Sequence, residues 1–516
     1  MYKLTLPVIL LFTFHAASQN DSLLLVDFYN SLSGPEWDST WNLNEPINTW
    51  YGVRTNEEGR VVDLSLLNNN LDGEIPPSLV NLTSLRLLSL GLDSIRGQIP
   101  QDLGNLTNLS FLQILQALLT GPIPESIGNL HEMDQIALYG NQLSGAIPAG
   151  ITNLKKMRFL QLQNNQLTGP LPNNLDSLKS LESLVLSQNL LEGVIPASIG
   201  GMPNLKELQL GGNHLISPLP PSMADLDKLE TLRLGGNDFN EPVPRFWSNY
   251  PQLKRLSFEF NQFSGELPIL SDSIESIAAD GNLLTGTISA DYANKPNLRW
   301  FFLGDNCIIE LPDFSSSPIL EGLYVSKNNL TFSDLLPIPN ALEYFYAPQK
   351  DYGVDTVITV LKGSDLSYSF ELDPEVADKS YFFYRNEVEF QQNTTGILDL
   401  RDFTEQDTGE YYVRVSHPKL PDLSLKSRIV RVQLDMTTST SLHKIPTVKI
   451  YPNPARHTLR LEGNRVIKSR YKVFDQRGTA YLVRSRSDTN QIDISALPQG
   501  LYYLDSGEIL IKFIKI

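Results

Sequence analysis

Three carboxylates, Glu259, Asp280 and Asp305, have the spacing in this sequence best suited to acid–base or metal chemistry. On neighbouring strands, carboxylates about 5 Å apart can recruit Ca²⁺ or act as an acid pair in glycoside cleavage. Ordinary solvated surface charge is the alternative interpretation, and it is the commoner one. We therefore treat the three as a candidate metal site, and Glu259 with Asp280 as the candidate pair of a polysaccharide-acting enzyme.

Other catalytic chemistry has little support in the composition. The chain of 516 residues contains six histidines and one cysteine, which excludes an intrachain disulfide and a Cys-based zinc cluster. No HExxH, GxSxG, P-loop or GxGxxG motif occurs in a suitable setting. The net charge of −17 disfavours a nucleic-acid partner. We predict a non-enzymatic protein with no catalytic residue and no cofactor.

Two groups of large side chains are candidates for binding a ligand. The early group contains Leu87, Phe111, Gln113, Tyr139, Phe159 and Gln161, accompanied by Leu115, and the late group contains Trp300, Phe302, Tyr324 and Tyr346, accompanied by Tyr344 and Phe260. Exposed aromatic side chains on neighbouring strands suit a protein hot spot or a sugar-stacking platform. A following module could bury the late group, so we expect the early group to be the more open surface.

A 24-residue period positions these side chains. Prolines recur at that spacing nine times, at Pro76, Pro100, Pro124, Pro148, Pro172, Pro196, Pro220, Pro244 and Pro268. Twelve copies of LxxLxLxxNxLxGxIP begin at Val61, Leu85, Leu109, Met133, Met157, Leu181, Leu205, Leu229, Leu253, Ile274, Leu298 and Leu320, with a degenerate thirteenth near Leu342. Such a period is typical of a leucine-rich repeat, whose coils bury their apolar edges only by stacking on neighbours.

The fifth copy shows the role of each repeat position. Strand alternation directs Leu160 inward, and Phe159 and Gln161 outward. The Asn that follows can hydrogen bond backbone groups that a curved coil would leave unpaired. Ten of the twelve copies have this Asn, and Asp93 and Ala117 are the exceptions. We expect the asparagine ladder to be interrupted at Ala117, with faster amide exchange in that coil.

The LxGxIP ending resembles that of plant-type leucine-rich repeats. This resemblance implies a right-handed superhelix with parallel strands along a concave face, which would carry both candidate groups. The glycine suits a left-handed backbone, and Ser217 and Glu241 replace it in copies seven and eight, where we expect a slightly different backbone.

The segment before the repeats resembles the N-terminal cap of the same family. Its sequence from Asn48 to Thr55, NTWYGVRT, has Asn and Thr where the family's motif has two cysteines. Packing of Trp37, Trp41 and Trp50 must therefore shield the first coil from water.

The first 18 residues have the order of a secretory signal peptide. Lys3 precedes an apolar run from Leu4 to Phe14, and small residues follow before Gln19. No other apolar run approaches the ~18 residues that a membrane helix needs. We expect export, with no transmembrane segment in the mature chain.

Beyond Ala347 the period stops, and short segments rich in β-branched and aromatic residues predict a small antiparallel sandwich. The string from Asp407 to Tyr411, DTGEY, resembles the DxGxY corner of immunoglobulin folds. That resemblance implies that the Tyr411 hydroxyl bonds back to the preceding loop.

The last 75 residues strongly resemble the type A C-terminal sorting domain of the type IX secretion system of Bacteroidota. Three elements appear in order, YPNPA, DxxG and LxxGLY, and they include Tyr451, Pro452, Asn453, Pro454, Gly478, Gly500 and Tyr502. The resemblance implies handling by the type IX machinery, followed by release or surface attachment.

Together these features predict a β-rich chain with a right-handed solenoid of about 12 repeats, an immunoglobulin-like β-sandwich and a small C-terminal β-sandwich. The expected divisions are a signal peptide over 1–18, a cap over 19–60, repeats over 61–348, a sandwich over 349–436, a linker over 437–446 and a sorting domain over 447–516. We expect an exported recognition or adhesion protein that binds a protein or polysaccharide on its concave face.

Overall fold

The computed structural model describes residues 20–435, apart from 318, 338 and 340, and the tail segments 449–451, 458–462, 470–475, 480–486, 491–498, 500–505 and 510–515. The predicted signal peptide and linker lie outside these residues. The chain folds into two compact units, the first containing residues up to 283 with 295–302, and the second containing 284–294 with 303 onward. No helix in the described part of the chain has the length and apolar character to cross a bilayer.

The N-terminal cap is built around aromatic rings. A helix over residues 20–31 is followed by 3₁₀ helices at Gly34–Glu36 and Ile47–Thr49. Trp41 stacks on Trp50 with ring centroids 4.8 Å apart and meets Trp37 edge-on at 4.9 Å. Each of the three rings is 4% exposed, so the aromatic packing closes the end of the repeat array without a disulfide.

One long sheet, which we call the front sheet, has twelve strands in the first unit: Val53–Thr55, Val61–Ser65, Leu87–Gly91, Phe111–Leu115, Gln135–Ala137, Phe159–Gln161, Ser183–Val185, Glu207–Gln209, Thr231–Arg233, Arg255–Ser257, Ser276–Ala278 and Trp300–Phe302. The first strand pairs antiparallel with the second, and every later pair is parallel. Alternate side chains point to the core: Leu160 is 1% exposed, whereas Phe159 and Gln161 are partly exposed. This arrangement confirms the predicted stack of β-rich repeats.

A second sheet, the back sheet, forms behind seven of the coils. Its strands are Asp72–Glu74, Ser94–Gln98, Leu118–Gly121, Gln142–Ala146, Gln166–Gly169, Leu190–Val194 and His214–Ile216. Turns of 3₁₀ helix return the chain toward the front sheet at Pro77–Asn81, Leu103–Asn105, Glu125–Asn129, Ala149–Asn153, Leu175–Ser177, Ala197–Gly201, Pro221–Asp225 and Arg245–Asn249. Burial of the inward leucines between these layers forms the core.

The repeat glycines explain where the back sheet ends. Gly169 and Gly193 have φ of 74° and 82°, a left-handed conformation that favours glycine. The next two coils have Ser217 and Glu241 instead, and there regular pairing gives way to isolated bridges from Ile216 to Asp238 and from Pro242 to Ser264. The Glu241 side chain accepts a hydrogen bond from the Leu219 amide at 2.7 Å, replacing part of the lost ladder. A short strand, Ser264–Gly265, follows.

A ladder of buried asparagines joins successive coils. The Oδ1 atom of Asn213 accepts from the Leu191 amide of the preceding coil at 3.0 Å. Its Nδ2 atom donates to the Leu186 carbonyl of that coil at 3.1 Å and to the Leu210 carbonyl of its own coil at 2.9 Å. The same pattern recurs at Asn165 and Asn189. Each asparagine therefore pairs backbone groups in two coils that would otherwise be buried without partners.

Coils two and three lack the ladder asparagine. Asp93 accepts from the Asn69 and Leu71 amides at 3.0 and 3.2 Å, and Ala117 has no polar side chain. Their front strands have five residues, as in coil one, and the Leu92 amide donates to the Leu115 carbonyl at 2.8 Å, as the Gly140 amide does to the Gln163 carbonyl at 3.0 Å in coil four. The asparagine ladder is interrupted as predicted, but the coil is not left open.

The second unit contains the last coils. Leu283–Thr287 pairs with Cys307–Glu310, Gly322–Tyr324 pairs with Glu343–Phe345, a 3₁₀ turn spans Ala290–Asn294, and a short α-helix spans Phe332–Leu335. Gln349 takes the place of the ladder asparagine in the degenerate coil. Its Oε1 atom accepts from the Asn328 amide at 2.9 Å, and its Nε2 atom donates to the Val325 carbonyl at 2.8 Å.

A two-sheet module follows within the second unit. One sheet contains Thr356–Val360, Val430–Leu434, Gly409–His417, Ser380–Arg385, Val388–Asn393 and Leu420–Lys426, and the other contains Leu366–Ser369 and Ile397–Leu400, with a 3₁₀ turn at Glu405–Asp407. The pair of Thr356–Val360 with Val430–Leu434 is parallel, unlike the antiparallel pairing that we predict throughout. The Tyr411 hydroxyl donates to the Asp407 carbonyl at 2.6 Å, as the DxGxY resemblance implies.

The described tail strands form one antiparallel sheet. They are Lys449–Tyr451, Thr458–Glu462, Arg470–Asp475, Ala480–Arg486, Gln491–Asp493, Gly500–Asp505 and Leu510–Lys515. Tyr502 is 2% exposed, and its hydroxyl donates to the Pro498 carbonyl at 2.8 Å. Gly500 opens the same strand and Tyr451 closes the first strand, whereas Pro452, Asn453, Pro454 and Gly478 lie outside the described residues.

Candidate ligand-binding surface

The structure brings the early group together on the outer face of the front sheet. Leu87 and Phe111 are register partners, and Gln135 separates Phe111 from Phe159 in the same row. In the next row, Gln113 and Gln161 flank the small Ala137. All of these side chains except Ala137 are partly exposed. The result is an apolar row beside an amide row, both held by the backbone of one sheet.

Polar contacts orient this surface from its edges. The Ser89 hydroxyl donates to Gln113 Oε1 at 3.2 Å, and the Arg158 guanidinium lies 4.9 Å from the centre of the Phe159 ring. Tyr139, in the turn that follows its strand, is also partly exposed. Leu115, by contrast, is 6% exposed, because the five-residue front strand Phe111–Leu115 includes it in the sheet. Leu115 therefore does not belong to the open surface.

Trp300 and Phe302, from the late group, lie on the last front strand of the first unit. Their rings are 6.1 Å apart and within 7° of parallel. Two coils earlier, Phe260 is 68% exposed in the turn after its strand. These three rings are therefore presented by the same outer face that carries the early group.

The remaining late residues lie in the second unit, where the expected register is wrong by one residue. Glu343 pairs with Gly322, and Phe345 therefore pairs with Tyr324 and stacks on it at 4.7 Å. Leu342, which we expect to point inward, is 87% exposed. The outward positions of this strand are Glu343 and Phe345, and Phe345 remains 52% exposed beside the following module.

Tyr346 consequently does not share the outward side of Glu343 and Phe345. Its ring meets that of Tyr344 at 4.9 Å, and its hydroxyl hydrogen bonds to Asp422 of the two-sheet module. Burial is the main cause that raises the pKa of Tyr346, and the Asp422 carboxylate adds to it. Tyr346 therefore joins the last coil to the module and is not part of a ligand surface.

The carboxylates do not form the expected metal site. Glu259 and Asp280 occupy equivalent places on adjacent coils, as the spacing predicts, and the Glu259 carboxylate accepts from the Ser257 hydroxyl at 2.6 Å. Asp305 lies in the second unit with a left-handed φ of 51°. No group of three His, Cys, Asp or Glu side chains in the described part of the chain is arranged to hold a metal ion. The metal hypothesis for Glu259, Asp280 and Asp305 is therefore withdrawn.

Sequence reasoning missed a row of alternating charge along the start of the front strands. Arg158 pairs with Asp134 at 2.7 Å and with Glu182 at 3.5 Å, and Lys206 pairs with Glu182 at 2.7 Å. Lys206 lowers the pKa of the Glu182 carboxyl through their hydrogen bond. The signal was available, because these charges alternate in sign at the 24-residue period. Their mutual neutralisation leaves the aromatic and amide rows as the distinctive part of the face.

Comparison with known families agrees with this architecture. A model described as a leucine-rich repeat region matches residues 64–278. The chain contains a leucine-rich repeat region. A second model, described as a secretion system C-terminal sorting domain, matches residues 449–510. The leucine-rich repeats are thus joined to a sorting domain, which indicates export and then secretion or attachment to the outer-membrane surface.

Individual proteins are similar to part of this chain. A probable leucine-rich repeat receptor-like protein kinase of Arabidopsis thaliana is 39% identical over 59 residues, which are 11% of this chain and 6% of the kinase. The solved plant peptide hormone receptor RGFR1, in complex with RGF2, is 26% identical with a TM-score of 0.51. That match covers 59% of this chain and 53% of the receptor. A plant ice-binding protein is 23% identical with a TM-score of 0.48, covering 64% of this chain and 98% of that protein.

Proposed function

We propose that the outer face of the front sheet recognises an extracellular protein or polysaccharide and that the chain does not catalyse a reaction. The observation that carries this proposal is the early group: Leu87, Phe111 and Phe159 lie in one register row and remain partly exposed. Large apolar side chains fixed on neighbouring strands give contact area at little further cost in conformational entropy.

The surrounding polar groups favour selective contact over general adhesion. Gln113 and Gln161 offer amide donors and acceptors beside the apolar row. The charged side chains of the neighbouring row form ion pairs with one another, as Arg158 does with Asp134 and Glu182. They therefore offer little unpaired charge that a nonspecific partner could bind. A plant receptor of similar fold, solved with its peptide hormone, supports recognition by this type of surface.

The test is a binding screen of the secreted full chain against glycans and surface proteins, repeated with Phe111→Ala and Phe159→Ala. Loss of a ring removes roughly 2 kcal/mol or more at a hot spot, so we expect about 30-fold weaker binding of the captured ligand. Unchanged affinity in both variants would show that the early group is not the binding site.

Catalysis is tested on the same preparations. Incubation with a polysaccharide panel should release no new reducing ends. Hydrolysis that disappears in Glu259→Gln would instead identify an enzyme that uses the Glu259 and Asp280 pair.

A further inference from the structure

We propose that the stretch of the front face from Phe260 to Trp300 and Phe302 binds a neutral polysaccharide by stacking sugar rings on its aromatic side chains. This inference rests on the proposed function, since it names the ligand class for one part of the same face. All of the residues that carry it belong to the first unit.

The first observation is that Phe260 occupies a backbone position unsuited to it. Each coil places one residue with positive φ just before its ladder asparagine: Asn68, Leu92, Gln116, Gly140, Asn164, Gln188, Gly212, Gly236, Phe260 and Gly281 in the first unit. Most are Gly, Asn or Gln, which tolerate this region. Phe260 has φ of 52°, where a bulky side chain is unfavourable. Packing does not compensate for that strain, because the side chain is 68% exposed.

Glycines on both sides keep the Phe260 ring accessible. Gly281 occupies the same turn position in the next coil, and a Cβ added there would lie 2.8 Å from Phe260 Cδ1. The ring therefore lies against a residue without a side chain. Gly236 occupies the position in the preceding coil and also has no side chain, although the Glu259 carboxylate lies over the neighbouring Gly235. Phe260 is therefore an exposed aromatic ring flanked by glycines at the equivalent positions of both neighbouring coils.

A second aromatic site lies within reach of an extended ligand. Trp300 and Phe302 are two coils beyond Phe260, or about 10 Å along the stack at the usual spacing of strands, and they lie five and three residues earlier in their repeat than Phe260 does in its own. Their rings are within 7° of parallel and partly exposed. In the coil between the two sites the outward side chains are small, because Ala278 is the register partner of Phe302 and Gly281 occupies the turn. A linear chain of rings could cross from one aromatic site to the other.

The polar groups along this path select a neutral chain. Asp280 lies in the coil between the aromatic sites. Glu259 directly precedes Phe260, and its carboxylate lies over Gly235 of the preceding coil, where an added Cβ would collide with its Oε1 atom. Carboxylate oxygens accept hydrogen bonds from sugar hydroxyls. They also repel uronate and sulfate groups. Arg255 is an exposed cation on the same face, and its Nη2 atom donates to the Thr231 hydroxyl at 2.8 Å, so these three groups together are net negative and disfavour an acidic polysaccharide.

The shape of the site favours sugars over a peptide. A peptide hot spot needs a desolvated pocket that surrounds an anchoring side chain. Phe260 presents an open face without walls, whose negative quadrupole attracts the slightly positive C–H groups of a pyranose ring. Peptide binding is therefore an outcome that the experiment must be able to report.

The experiment is affinity electrophoresis of the full chain in gels that contain a neutral polysaccharide (laminarin, hydroxyethylcellulose or mannan) or the acidic alginate. We expect retardation in at least one neutral gel and none in alginate. Phe260→Asn should reduce that affinity at least about ten-fold while leaving the Tm unchanged or higher, since Asn tolerates the left-handed backbone. Leu92→Asn is the matched control, because Leu92 occupies the same turn position with φ of 59° and 47% exposure. That variant should keep wild-type retardation.

Three results would overturn the inference: retardation in no neutral gel, retardation in alginate alone, or equal retardation of wild type and Phe260→Asn. A lower Tm in Phe260→Asn would assign the ring a structural role. If a protein ligand is captured instead and its binding depends on Phe111, the proposed function stands and the polysaccharide inference fails. If glucan binding depends on Phe260 but not on Phe111, the early group is wrong and this inference stands.

Discussion

Coils two and three differ from the coils that follow them in the residue at the ladder position and in the length of the front strand. From coil four onward, asparagines such as Asn213 bridge two coils through their side-chain amides. In coils two and three, Asp93 and Ala117 stand at that position and the front strands lengthen to five residues. Half of the early group, Leu87, Phe111 and Gln113, lies on these longer strands. The comparison teaches that the front sheet keeps its register through two coils that lack the asparagine.

The largest loss of stability is expected where a ladder asparagine is fully surrounded by other coils. Asn213→Ala leaves the Leu191 amide and the Leu186 and Leu210 carbonyls buried without their partner, so we expect a loss of about 3 kcal/mol in the free energy of unfolding. Denaturant titration measures it. Asn240→Ala, the same change at an exposed position, should stay within about 0.5 kcal/mol of wild type. Similar stabilities for the two variants would contradict the role of the ladder.

A smaller loss of stability is expected at Gln349, the last residue of the ladder. Gln349→Ala removes hydrogen bonds to the Asn328 amide and the Val325 carbonyl, at an end of the ladder where one side has no further coil. We expect a loss of about 2 kcal/mol, and Gln349→Glu should restore only the accepting half of it. Thermal unfolding of the two variants checks this ordering. Full stability in Gln349→Ala would remove Gln349 from the ladder.

The Asp93 carboxylate of coil two should make the stability of the protein depend on pH. Burial is the largest cause that raises the pKa of Asp93, and Asp93 Oδ2 has no hydrogen-bond partner in the described structure. A folded pKa above the unfolded value favours the native state most at low pH, and that contribution is lost as pH rises through the folded pKa. Asp93→Asn should therefore be more stable than wild type at pH 7, with the difference shrinking in acid. A gap that widens as the pH falls would contradict this assignment.

The smallest effect is expected at Ala117. From the sequence alone we expect faster amide exchange in coil three, but the structure pairs the Leu92 amide with the Leu115 carbonyl at 2.8 Å and the Gln116 amide with the Tyr139 carbonyl at 3.0 Å. Native-state exchange at Leu92 and Gln116 should match that of the equivalent amides in coil five within about ten-fold. Much faster exchange at these amides would show that coil three is loosened by the missing asparagine, as the sequence alone predicts.

The 24-residue period was sufficient to predict which side chains face the core, because every coil repeats one backbone path and buries the same positions. It predicted the outward places of Phe111 and Phe159 for the same reason. It failed at the degenerate coil, where the apolar Leu342 suggested an alignment that the strand pairing of Phe345 with Tyr324 excludes. Whether a missing asparagine loosens a coil or lengthens its strands depends on neighbouring backbone, which one repeat does not contain.

The central claim is that the outer face of the front sheet is where this protein binds. Its most direct test is the dissociation constant of the captured ligand for wild type, Phe111→Ala and Leu118→Ala. Leu118 is 46% exposed on the back sheet, one turn away from Phe111 in the same coil. We predict binding about 30-fold weaker for Phe111→Ala and unchanged for Leu118→Ala. Weaker binding in Leu118→Ala, with Phe111→Ala unaffected, would contradict the account.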